Sequence, residues 1–145
     1  MPPIPKPRQP KNNNGRIPPQ VPPEDKGLGF SFRYLDLTSN SKFSIDGKDT
    51  QYFTKLLERL KAVSSIKCSE FMSARGNALR AHPLNWDDTS ERDGFMCLNE
   101  QLRTLPAYQF EISANAHGRV HGVITGNVFV IVWLDPNHKL FPKKK

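Results

Sequence analysis

The chain has 145 residues, 37% of them hydrophobic and 24% charged, with a formal net charge of +7. That length suits one domain. The longest apolar run, 128–134, is too short to span a bilayer and the first residues lack the apolar stretch of a secretory signal, so a secreted or membrane-spanning protein is not expected.

The charge is unevenly spread. Residues 1–26 hold nine of the 13 prolines and a net charge of +3, and Lys143, Lys144 and Lys145 add three more. Proline removes backbone donors and favours extended structure. The expected organisation is therefore a disordered, proline-rich basic tail over 1–26, a single domain over 27–142 and a basic C-terminal tail over 143–145. The domain itself is only +1. Basic ends strengthen phosphate contacts at low salt, or they serve as solubilising tails. Two isolated cysteines, Cys68 and Cys97, read as reduced thiols of a cytoplasmic protein.

In chain order, alternating aromatics from Phe30 to Leu37 predict a first strand, with a second short extended piece at Phe43 and Ile45. Asp49 or Thr50 caps a helix whose inward stripe is Tyr52, Phe53, Leu56, Leu57, Leu60 and Val63. A second helix is expected over 69–81, ended by Pro83. Residues 82–97 read as a loop with Trp86 tucked against the domain, followed by a helical turn over 98–105. Strands are expected at 108–113 and 118–125. Gly126-Asn127 then makes a hairpin turn, because both residues tolerate positive φ, and the apolar 128–134 forms a central strand. The fold class is α+β: one N-terminal strand, two to three helices, then a three-stranded antiparallel meander with the helices on one face.

Polar and basic groups gather on the last two strands. Arg119 and His121 are two apart and share a face, and His138 and Lys139 follow the central strand. Arg80 and His82 close the second helix. Such groups suit a phosphodiester: arginine stabilises charge on the phosphate oxygens, and histidine or lysine exchanges protons near neutral pH. Cleavage by an RNA 2′-hydroxyl requires neither metal nor cofactor. Each residue also has a structural alternative. Arg119 can pair with Glu111 on the adjacent strand, His121 can be a hydrogen-bonded sheet histidine, and His138 can shape a turn. His117 reads as an exposed loop residue. The chain holds no phosphate-binding loop, dinucleotide fingerprint, zinc-ligand spacing or nucleophile-elbow motif.

The C-terminal stretch YQFEISANAHGRVHGVITGNVFVIVWLDPNHKLF resembles the RelE/ParE toxin superfamily. Gly118-Arg119-Val120 is similar to the family's arginine strand, VFVIVWL to its central strand, Asn137-His138-Lys139 to its basic segment and Phe141 to its terminal aromatic. The resemblance implies a RelE-like toxin fold that cuts mRNA on the ribosome and is held inactive by a cognate antitoxin. It casts Arg119 as the phosphate-binding arginine and His138 or Lys139 as the acid/base or charge-stabilising group; the strand spacing adds His121 as a catalytic candidate on the face of Arg119. Arg80, His82, Lys143, Lys144 and Lys145 would contact RNA. The chain departs from the family at Asp135-Pro136, at Phe141 (no hydroxyl) and at Glu111, where basic residues are usual. A non-catalytic protein- or nucleic-acid-binding module of phage or mobile-element origin is the alternative.

Overall fold

The computed structural model describes residues 3–4, 27–73, 81–113 and 116–141. The readings of the 1–26 tail, Arg80 and the three C-terminal lysines fall on residues outside these.

A five-stranded mixed sheet organises the chain, in the order β1-β5-β4-β3-β2. Its members are β1 (Gly29–Ser31), β2 (His82–Pro83), β3 (Ala107–Glu111), β4 (Arg119–Thr125) and β5 (Val128–Asp135). Strands β3, β4 and β5 pair antiparallel in succession, while β1 runs parallel to β5 and β2 antiparallel to β3. The three consecutive strands follow the expected pattern. Both edge strands are short. Of the aromatic alternation over residues 30–37 only Phe30 and Ser31 are paired in the sheet, because the chain turns away after Ser31. Phe43 lies in a 3-10 turn, Ser41–Phe43, rather than an extended piece.

Helix α1 (Thr50–Ser64) starts where Asp49 accepts the Tyr52 N–H at 3.0 Å, satisfying one of the first-turn donors. Its buried stripe is Tyr52, Leu56, Leu60 and Val63. Phe53 and Leu57, expected to face inward, are 36% and 65% exposed: a straight stripe at steps of four and three cannot also bury the neighbours 100° around the helix. Helix α2 is described over Cys68–Ser73, and by Ala81 the chain is buried and no longer helical. Helix α3 is the single turn Glu100–Arg103.

Both faces of the sheet are covered. On one, α1 and α2 pack Tyr52, Leu60 and Phe71 over Phe110, Val120, Phe129 and Ile131. On the other, Phe43, Phe95, Leu98 and Leu140 cover Ala107, Val123, Val132 and Trp133, with Leu102 of α3 packed alongside. The expectation of helices on one face is therefore corrected: α3 lies opposite α1 and α2. Irregular chain covers that face because its aromatics supply the apolar area, with Phe43 stacked on Trp133 at 4.4 Å between ring centroids and Phe95 edge-on at 4.8 Å. The register of β4 and β5 shifts between His121 and Gly122, which face Trp133 and Ile131. Val132 is thus an extra residue on β5, a bulge. Its carbonyl accepts the Asp36 N–H at 2.8 Å. Among the described residues, no helix is long and apolar enough to cross a membrane.

Candidate functional site

Two rows of polar side chains cross the sheet on the face under Phe43 and Leu140. The antiparallel register aligns Glu111, Arg119 and Asp135 in one row, and Gln109, His121 and Trp133 in the next. Arg119 Nη1 donates to Glu111 Oε1 at 3.2 Å, with 8% and 1% of the two side chains exposed. His121 is fully buried, and its Nε2 donates to Asp135 Oδ2 at 3.1 Å. The sheet brings Arg119 and His121 to one face, in the interior, with carboxylates of the flanking strands against them.

Asp135 is the hub. Its carboxylate also accepts the backbone N–H groups of Lys139 at 2.7 Å and Leu140 at 2.9 Å, and its carbonyl accepts that of His138. One side chain therefore ties β5 to β4 and fixes the turn that returns Leu140 to the core. His138 takes φ 55 in this turn, a left-handed conformation uncommon outside glycine. It is half-exposed and Lys139 is exposed. Burial would raise the Asp135 pKa, but the His121 hydrogen bond and the two backbone N–H groups hold it below the ordinary carboxylate value. Burial pushes His121 below the ordinary histidine value of 6.5, and Asp135 offsets this only in part. The resident state is a neutral imidazole donating to a carboxylate.

Both shifts have the same sign for folding. A pKa depressed in the folded state means that the unfolded chain binds the proton more readily, so stability is full above the unfolded pKa and falls as pH drops through it. Stability is expected to decline as pH falls below about 6.5 through His121, and again below about 4 through Asp135. Urea midpoints at pH 7.5 and pH 5.5 check this. The fall over that interval should shrink in His121→Gln, whose amide still donates but does not titrate there.

His82 lies on the exposed β2 edge. Its Nε2 accepts from the Gln109 amide at 2.7 Å and its Nδ1 faces the Pro83 carbonyl at 3.1 Å, which assigns the proton to Nδ1. Among the described residues, Gln109 joins it to the polar row. Arg80 and Lys143 to Lys145 lie outside the described residues. Both cysteines are free thiols. Among the described residues, no three His, Cys, Asp or Glu side chains are grouped to hold a metal ion.

Among the described residues, two of the open pockets lie on the irregular face, and neither of these is lined by Arg119, His121, His138 or Lys139. One, of about 380 Å³, has Ala107 and Val123 as its floor, Trp86 and Phe95 as its wall, and Arg92, Asp93, Glu100 and Arg103 around its mouth. The other, of about 310 Å³, is lined by Asp36, Asn40, Glu91, Met96, Cys97 and Trp133. Sequence reading placed Trp86 against the domain but missed the pocket beside it. The signal was a composition: both signs of charge closely following a tryptophan in a segment without regular periodicity. The chain matches no known protein family, no curated protein and no solved structure.

Proposed function

We propose that this chain is a non-catalytic nucleic-acid-binding module, which holds single-stranded RNA and leaves its phosphodiesters intact. The observation that carries the reading is the burial of Arg119 and His121. Phosphodiester chemistry on β4 requires these groups to meet a phosphate, and their partners are Glu111 and Asp135, in an interior where 8% of the arginine side chain and none of the histidine is exposed. To meet a phosphate, either group would have to give up its buried carboxylate partner, which is costly inside a protein. The net charge of +7 supplies the long-range attraction to a polyanion.

The test is fluorescence anisotropy with a short unstructured RNA over a range of salt, followed by gel analysis of the same RNA. Affinity should fall linearly on a log–log plot, with a slope of about −0.7 for each phosphate neutralised, and the RNA should remain full-length after prolonged incubation, with or without translating ribosomes. Cleavage abolished by Arg119→Ala, in a protein that remains folded, would overturn the reading. It would restore the interferase alternative together with its ribosome and antitoxin partners.

A further inference from the structure

We infer that the 380 Å³ pocket beside Trp86 takes one unstacked nucleobase of the bound strand, with the neighbouring phosphates on Arg92 and Arg103. The inference rests on the nucleic-acid reading above and names the site at which bases are held.

The volume lies in the range of small-ligand sites. Small residues on the sheet leave room for it: Ala107 on β3 stands opposite Val123 on β4, and both line the pocket, where bulkier residues would take up its space. The wall is a fixed ring. Phe95 meets the Trp86 indole edge-on at 4.7 Å and Trp133 does so at 6.1 Å. The indole also packs on Gly94, where an added Cβ would come within 3.3 Å of it. A ring already immobilised loses little entropy when a base packs against it. Its N–H makes no hydrogen bond among the described residues, so it is a donor still available.

The mouth decides the class of ligand. Arg92, Asp93, Glu100 and Arg103 are exposed, and among the described residues none of them is in an ion pair. Arg103 is held by the Asp93 carbonyl at 3.5 Å and the Met96 sulfur at 3.2 Å, and Arg92 makes no hydrogen bond at all among the described residues. A purely anionic ligand would meet two carboxylates, and a purely cationic one two guanidiniums. A nucleotide presents both complements: phosphate for arginine, and the amino and imino donors of a base edge for carboxylates. The apolar floor and aromatic wall match the flat body of the base.

The experiment uses the full chain and compares a short oligoadenylate with a ribose-phosphate oligomer of the same length whose bases are absent. Wild type should bind the base-bearing strand about tenfold more tightly, the loss expected when one stacked base is removed. Thr104→Phe, at an exposed position on the mouth, should erase that difference by capping the pocket, with an unchanged circular dichroism spectrum. Arg92→Ala should weaken both oligomers about threefold and lower the salt slope. If the two oligomers bind wild type equally, and both variants bind as wild type does, the pocket inference fails while the nucleic-acid reading stands. If neither oligomer binds at all, both fail.

Discussion

Asp135→Ala is expected to cost about 3–5 kcal/mol, the range found when one partner of a buried charged network is removed. The carboxylate accepts from His121 Nε2 and from the backbone N–H groups of Lys139 and Leu140, so the truncation orphans three donors in one place. Two of them fix the turn that seats Leu140, which is fully buried against the irregular face. The cost is a large share of the 5–15 kcal/mol that stabilises a domain. Asp135→Asn should cost clearly less, since its amide oxygen still accepts. The check is the urea midpoint of each variant. A loss below about 1 kcal/mol for Asp135→Ala would mean that the hub is not needed to hold the turn.

Gly122→Ala should be comparably severe, for a steric reason. A Cβ at this position would stand 2.0 Å from the Val130 carbonyl oxygen and 2.6 Å from Phe129 Cε1. The first of these is backbone of the paired strand and cannot rotate away. The site adjoins the bulge between β4 and β5 in the fully covered part of the sheet, so relief requires the two strands to separate. We expect about 3–5 kcal/mol of destabilisation, or failure to accumulate as soluble protein. Gly126→Ala is the control. It sits at φ +59 with nothing within 4 Å of an added Cβ, so only left-handed strain applies, about 1 kcal/mol. Thermal unfolding of the two variants side by side should separate crowding from backbone strain.

Regular periodicity was the part of the fold legible in the sequence. The apolar 128–134, the Gly126-Asn127 turn and the α1 stripe each carry a local signal that burial reinforces, and each element forms where that signal places it. The irregular face was not legible. Phe43, Trp86 and Phe95 lie in segments without period, and they cover the sheet because three aromatic rings converge on Trp133. Sequence separation hides that convergence. The short parallel pairing of β1 with β5 was hidden for the same reason.

The polar row was half legible. Spacing alone puts Arg119 and His121 on one face of β4, and Glu111 was recognised as a partner for the arginine. Whether that face meets water depends on what lies over it. The covering residues, Phe43 and Leu140, come from segments 76 and 21 residues away from Arg119 in the chain. Asp135 stood out in the sequence only together with Pro136, as a departure from the family's pattern. Its role as acceptor for His121 follows from the bulge, which shifts β5 by one residue relative to β4.

The central claim is that Arg119 serves the fold while RNA is bound elsewhere, and the double variant Arg119→Met/Glu111→Leu tests it most directly. Replacing a buried ion pair by apolar side chains of similar volume commonly preserves folding, so the protein can be assayed without its guanidinium. RNA affinity within about twofold of wild type, measured by anisotropy on the folded variant, is the predicted result. A folded variant that has lost RNA binding, or has lost an RNA cleavage that wild type performs, would contradict the account.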